Sequence, residues 1–449
     1  MVSAHDNKVV RQVCFLGNLI ITNKQICILE INKLFLFIFY IKMIKQSDLS
    51  AIIDSQYERL MTSDFGLERD LLKKLPEKQG NHALIISGIR RCGKSTLLGQ
   101  LIKKVPSNVF FINFDTPKLY NFEISDFKLL DLIIKENDYE HLFFDEIQVV
   151  KGWELYVRQK LDEGFTVVIT GSNASLLSRE LGTKLTGRHI TKELFPFSYT
   201  EFIRFLQIKS NEESFQKYFE TGGFPEFVKI NNPDILTSLF DDILFRDISV
   251  RFGIRDVNSL KRLLLFLVAN VGNLITATKL KQVLGIKSSA TILDYFSYFE
   301  QTYLLGLLPK FSHSYRAQLI NPRKIYIIDN GLINAVSPSH TKDAGKKLEN
   351  IIYWHFRQQN KELFYYNETG SECDFVVAAK NKVEKIVQVC YELTPENSSR
   401  EEKGLLEAMN FFNIDKGTII TMDQQDKIRH KNMQIDIIPA YVYIDNLDG

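Results

Sequence analysis

The chain is short of the residues that mark several protein classes. Five cysteines, Cys14, Cys27, Cys92, Cys373 and Cys390, form no CxxC pair, and the eight histidines complete no zinc pattern with them. Neither a disulfide framework nor a structural zinc site is expected, and the setting predicted is a reducing, cytoplasmic one. Net charge is nearly absent: 56 Lys plus Arg stand against 54 Asp plus Glu, leaving +2. No global field draws such a chain onto nucleic acid or anionic lipid, so any such binding needs a local patch. Long apolar runs are missing too. Leu34 to Ile41 is apolar throughout, but a spanning helix needs ~20 residues. Lys42-Met43-Ile44-Lys45 follows that run where a signal peptide would place small residues, so neither membrane insertion nor export is expected.

What is present is ordinary globular material. Hydrophobic residues make up 45% of the 449 and charged residues 24%, which at ~150 residues per domain predicts roughly three units. Residues 1–42 do not resemble the rest. Met43 opens an amphipathic segment with Ser47 as candidate N-cap and Leu49, Ile52, Ile53, Tyr57 and Leu60 at helical spacing. Met43 is therefore read as the biological start and 1–42 as translated leader, with an irregular arm as the alternative.

Residues 83–96 form a short apolar strand followed by Gly88-Ile89-Arg90-Arg91-Cys92-Gly93-Lys94-Ser95-Thr96, the GxxxxGKS phosphate loop. Its glycines let backbone N–H groups curl around phosphate oxygens, Lys94 neutralises the β and γ phosphates, and the Ser95 hydroxyl is a ligand for magnesium. ATP and Mg2+ are thus the expected substrate and cofactor. The second half of such a site is an acid at the end of another buried strand. His141-Leu-Phe-Phe-Asp145-Glu146 supplies it, Asp145 for the metal and Glu146 to orient and deprotonate water, which argues for hydrolysis. A further strand, Val109 to Phe114, lies between the two motifs, as in the AAA+ division. Phe165 to Asn173 reads as a strand whose tip faces the same crevice, with Ser172 or Asn173 as sensor of the γ phosphate. Arg188, in Leu185-Thr-Gly-Arg188, is the candidate arginine finger, in cis or in trans, with Arg179 as substitute. A finger acting in trans implies a homo-oligomer.

In GIRRCGKSTLL, LFFDEIQ, ITGSNASLLS, LTGRH, LFPFSYTEF, TGGFPEF, KKLEN with SECDFVV, and IVQVCYEL, the chain from about Met43 to its end resembles a group of uncharacterised prokaryotic AAA+ ATPases. These carry a C-terminal domain of unknown function similar to PD-(D/E)XK nucleases. Ser198 to Glu201 also fits a capping box and Gly222-Gly223-Phe-Pro225 a helix stop. The resemblance implies an α/β fold: a P-loop parallel sheet of AAA+ type over 43–205, a helical lid with a winged-helix-like unit over 206–335, and a restriction-nuclease-like α/β domain over 336–449. In the winged-helix-like part, Thr278 to Gly285 and Ala290 to Tyr303 read as helix, turn, helix, but the second helix has no Lys or Arg. Base reading is therefore not expected, because a groove-reading helix brings basic or amide side chains. Lys279, Lys281, Lys287 and Lys310 remain as a nonspecific nucleic-acid patch. A protein partner is the other use.

In the nuclease-like part, Glu349 on a helix and Asp374 on a strand match the first two acids of the nuclease pattern. The E-x-K that should follow reads Gln388-Val389-Cys390. An amide is a poor magnesium ligand and the lysine is gone, so the domain is expected to be inactive, although Glu392, at period two from Gln388, is placed to restore a metal ligand. The function expected is ATP hydrolysis driving a conformational switch, with the C-terminal domain used for recognition. The alternatives are an ATP-gated nuclease on DNA or RNA, and a scaffold that binds nucleotide without turning it over.

Overall fold

The computed structural model describes residues 44–76, 79–105, 108–174, 179–337, 343–359, 361–368, 370–379 and 382–448. Met43, the expected leader 1–42 and the side chain of Arg179 lie outside the described residues. The first element is α1 (Gln46–Thr62), which buries Leu49 and Ile53. Its N-cap is Lys45 rather than Ser47, because Leu49 N already donates to Lys45 O at 3.0 Å and makes Gln46 the first helical residue.

Runs of five or six residues build the first sheet: β1 (Ala83–Ser87), β2 (Val109–Asn113), β3 (His141–Asp145), β4 (Thr166–Gly171) and β5 (His189–Glu193). All pair in parallel in the order β2-β3-β4-β1-β5. Such a sheet is covered on both faces, and β1 shows why its sequence is apolar without alternation. Ala83 and Ile85 pack with α1 and the β2 and β3 phenylalanines, whereas Leu84 and Ile86 face a core shared with the helices that follow. The acidic strand β3 is separated from the P-loop strand β1 by β4, whereas β2, the strand that lies between the two motifs in sequence, is at the edge of the sheet.

Helices follow. α2 (Lys94–Ile102) starts on the phosphate loop, and α3 (Tyr199–Leu206) begins with the expected capping box of Ser198 and Glu201. α4 (Glu212–Thr221) ends at Gly222, the helix stop read from the sequence, whose φ of 69° and ψ of −162° are a conformation that glycine alone adopts readily. A π-helix, Ile243–Val250, and α5 (Val257–Ala269) complete this layer. Next come β6 (Leu274–Ile275), α6 (Ala277–Leu284), α7 (Ser289–Gln301), β7 (Leu305–Leu308) and β8 (Arg323–Ile327). The three strands form an antiparallel sheet in the order β6-β8-β7.

The last unit has α8 (Ala344–Gln358), β9 (Glu362–Tyr366), β10 (Cys373–Ala379), β11 (Lys382–Val389), α9 (Ser398–Phe412), β12 (Lys416–Thr421), β13 (Asp426–His430) and β14 (Met433–Pro439). Its six strands run β13-β14-β12-β11-β10-β9. β9 to β11 form an antiparallel meander, while β11, β12 and β14 are parallel. β11 ends at Val389, so Glu392 is off the strand. The period-two extrapolation that put it beside Gln388 fails because the ladder has stopped. Among the described residues no helix is long and apolar enough to cross a membrane.

Candidate functional site

The phosphate loop leaves β1 at Ser87 and turns through Arg91, φ 61°, and Gly93, φ 102°, into α2. Gly88 is required by close approach: a Cβ there would stand 2.0 Å from Leu194 O. Ile89 and Cys92 are buried and anchor the loop, while Ser95 at the N-terminus of α2 is exposed. Lys94 folds over the loop, its Nζ donating to Gly88 O and Ile89 O at 3.1 Å each and lying 3.4 Å from Glu146 Oε1. Burial works against its charge, but the carboxylates of Glu146 and Asp145 outweigh burial and raise its pKa.

Asp145, fully buried at the end of β3, accepts from Ser95 Oγ at 2.8 Å, from Asn113 Nδ2 at 2.7 Å and from Thr170 Oγ1. Burial, and then the charge of Glu146, push its pKa up to about 6. Glu146 has a left-handed φ of 53°, a strained setting for a side chain with a Cβ. Burial alone would raise its pKa, yet Lys94 holds it below the ordinary glutamate range. Asn173 is buried beside the loop and its carbonyl accepts from Ser87 Oγ at 2.8 Å. Gly88, Lys94, Ser95, Asp145, Glu146 and Asn173 therefore share one crevice at the carboxyl ends of β1, β3 and β4. The oxygens of Ser95 and Asp145, 2.8 Å apart, are the hard donors that magnesium takes.

Arg188 is elsewhere. Its carbonyl accepts from Ala83 N, at the start of β1, and its guanidinium pairs with Asp162 at 2.8 Å. A strand of this length separates it from the loop by roughly 16 Å, so it does not serve the nucleotide site of its own chain. The arginine that does stand there is in the loop itself. Arg90 makes a two-pronged contact with Asp247 of the π-helix at 3.0 and 2.9 Å, and Arg246 pairs with Asp115 just after β2 at 3.0 Å. The loop has a further support that sequence reasoning missed. Arg69, 3% exposed, donates to Cys92 O at 2.7 Å, to Phe195 O at 2.8 Å and to both oxygens of Glu201 at 2.9 and 3.0 Å.

A second polar cluster lies between the middle and last units. Glu349 on α8 and Asp374 on β10 do come together, as the nuclease-like pattern anticipates, but both grip Lys324 of β8, whose Nζ is 2.9 Å from Glu349 Oε1 and 2.6 Å from Asp374 Oδ1. Gln388 Oε1 accepts from Asp374 N at 3.1 Å and its Nε2 donates to Glu401 of α9 at 2.7 Å. Burial, then the charge of Glu349, push Asp374 up to about 6. The helix that carries Glu349 also touches the first sheet: Arg357 of α8 holds Glu193, at the end of β5, with contacts of 2.8 and 3.0 Å.

The first site lies within a stretch of the chain that matches a known domain. Residues 80–203 match an AAA domain, and residues 212–343, the middle of the chain, match a domain of unknown function (DUF8612). The uncharacterized protein MJ1544 of Methanocaldococcus jannaschii is 32% identical over 407 residues, covering 84% of this chain and 90% of that protein. An uncharacterized protein of Haemophilus influenzae is 30% identical over 353 residues, 74% of this chain and 88% of its own. Among solved structures, Cdc6p of Pyrobaculum aerophilum aligns at a TM-score of 0.27 with 15% identity, covering 62% of this chain and 96% of that one. The STAND protein PH0952 of Pyrococcus horikoshii aligns at 0.24 with 14% identity, covering 62% of this chain and 43% of its own.

Proposed function

The chain belongs to the same family as protein MJ1544 of Methanocaldococcus jannaschii and carries an AAA domain over residues 80–203, and from that premise we propose that it binds ATP with Mg2+ and hydrolyses it to drive a conformational switch. The observation that carries this reading is the single cluster of Lys94, Ser95, Asp145 and Glu146 at the carboxyl ends of β1 and β3. Magnesium supplies charge neutralisation across the phosphates, and Ser95 and Asp145 are the residues to hold it. Lys94 has a better acceptor in a phosphate oxygen than in the carbonyls of Gly88 and Ile89. Its departure from Glu146 frees that carboxylate to take a proton from water. Asn173, beside the loop, is the polar group to sense the γ phosphate.

Two charged contacts are placed to pass the change on: Arg90 with Asp247 to the π-helix, and Glu193 with Arg357 to α8. Arg188, facing away from its own phosphate loop, fits a finger offered to a second copy in a homo-oligomer. The order α5, β6, α6, α7, β7, β8 with its antiparallel sheet supports a winged-helix reading of the middle unit. α7 lacks Lys and Arg and exposes Leu293, which favours a protein partner over base reading. The helix-and-sheet order of the last unit, with Glu349 and Asp374 side by side, supports a nuclease-like ancestry put to use in recognition. Hydrogen exchange on the Glu146→Gln variant, with and without ATP, tests the switch. Slower exchange is expected in the π-helix and in α8 as well as in the loop, and a change confined to residues 88–96 would show binding without a switch.

A further inference from the structure

The acid cluster beside Asp374 already holds a cation, and that cation is a side chain. Lys324 enters from β8, outside the unit that supplies the acids, with its side chain 1% exposed. Its Nζ is 2.9 Å from Glu349 Oε1, 2.6 Å from Asp374 Oδ1 and 2.7 Å from Glu372 Oε1. Carboxylate oxygens converging on one point are how a hard divalent ion is gripped. Here one ammonium meets three carboxylates instead, donating hydrogen bonds to Glu349 and Asp374 and pairing with Glu372 by charge.

Other oxygen lone pairs of Glu349 and Asp374 are also engaged. Tyr326 donates its hydroxyl to Glu349 Oε1 at 2.6 Å, Lys346 Nζ reaches Glu349 Oε2 at 2.8 Å, and Val389 N donates to Asp374 Oδ2 at 2.9 Å. A divalent ion entering this cluster would have to displace a buried ammonium and then sit beside Lys346. Nor does Lys324 restore the water-activating lysine that Cys390 replaces, because its ammonium is buried and enclosed by three carboxylates, two of which accept its hydrogen bonds.

We propose that Lys324 is a built-in substitute for a divalent cation at this centre. It keeps the acid cluster metal-free, and it fastens the middle unit to the last one through Glu349, Glu372 and Asp374. Charge counting gives the corollary. Glu349, Glu372 and Asp374 carry three negative charges against the two positive charges of Lys324 and Lys346. Without Lys324 the balance moves to three against one in a buried place, and the same oxygens become a site for Mg2+ or Mn2+.

Counting Mn2+ bound to nucleotide-free protein, by the loss of the free-ion signal in electron paramagnetic resonance, tests this. Wild type and Asp374→Asn are expected to bind equal amounts. Lys324→Met is expected to take one more ion per chain and to melt at a higher temperature with Mn2+ than without it. The double variant Lys324→Met with Asp374→Asn should lose the extra ion. If Lys324→Met refolds only with Mn2+ present, the substitution of metal for ammonium is seen directly. If it does not fold at all, the wild-type and Asp374→Asn comparison still decides. Mn2+ binding by the wild type that Asp374→Asn removes would overturn the proposal, as would a folded Lys324→Met that takes no extra ion.

Discussion

The Glu146→Gln variant is expected to keep ATP bound and to release phosphate about 10²- to 10⁴-fold more slowly than the wild type, the span that a general base contributes. The amide preserves the shape of the side chain but cannot accept a proton. Asp145 and Ser95, the metal-side residues, do not depend on Glu146 for position: Asp145 is held by Asn113 and Thr170, and Ser95 by α2. Lys94 loses one of its three anchors in the nucleotide-free state and keeps the two carbonyls, so the lysine becomes easier to draw toward phosphate. Affinity for ATP is therefore expected to hold or rise while turnover falls. Lys94→Ala should behave in the opposite way, losing affinity, because a phosphate charge enters the crevice without its partner. Equilibrium nucleotide binding and steady-state phosphate release on the two variants separate these outcomes. Equal loss of binding in both would make Glu146 a structural residue.

Arg69→Met is expected to destabilise the ATPase unit by about 3–5 kcal/mol, the usual cost of removing one partner from a buried ion pair. What remains is Glu201, 4% exposed, with its charge uncompensated and only the N–H groups of Asp70 and Ser198 to hold it. The phosphate loop loses its hold on Cys92 O in the same step, so nucleotide affinity should fall along with stability. Glu201→Gln in the Arg69→Met background should recover part of the loss, because no buried charge is then left. Acid acts on the same pair. Burial raises the pKa of Glu201, Arg69 outweighs burial, and the net effect is a depressed value. The pair's contribution is thus present above the ordinary glutamate range and disappears as pH falls through that depressed pKa. Urea denaturation of the variants from neutral pH down to below the ordinary glutamate range measures both effects. A loss under about 1 kcal/mol for Arg69→Met would put the pair in the class of weak surface bridges.

The nucleotide crevice was legible because its chemistry is local in sequence. Gly88 to Ser95 occupy consecutive positions after one strand, Asp145 and Glu146 end another, and an apolar strand before each fixes where it points. The sheet order was not legible in this way, because the strand between the motifs, β2, goes to the edge and it is β4, later in the chain, that inserts between β3 and β1. The residues that reading missed act from a distance. Arg69 precedes a single helical turn and gives no local sign that it will span Cys92, Phe195 and Glu201. Asn113 and Thr170 look like ordinary strand residues until the sheet brings them to Asp145.

Lys324 did leave a trace. It stands in Arg323-Lys-Ile-Tyr-Ile-Ile328, where period two puts Lys324 and Tyr326 on one face of a buried strand, and both reach Glu349. A lysine at such a position implies an acidic partner, though only the fold says which. Glu392 failed for the converse reason, since an alternation rule holds only while the strand lasts. Arg188 was placed correctly on a loop before β5, but nothing local says which end of the sheet that loop occupies.

The central claim is that this chain turns ATP over, and phosphate release by the purified wild-type protein tests it most directly, with magnesium or with chelator, alone and with single- or double-stranded nucleic acid. The expected result is release that requires magnesium and vanishes in Lys94→Ala. Tight ATP binding with no release above the Lys94→Ala background, under every one of these conditions, would contradict it and leave a nucleotide-binding scaffold.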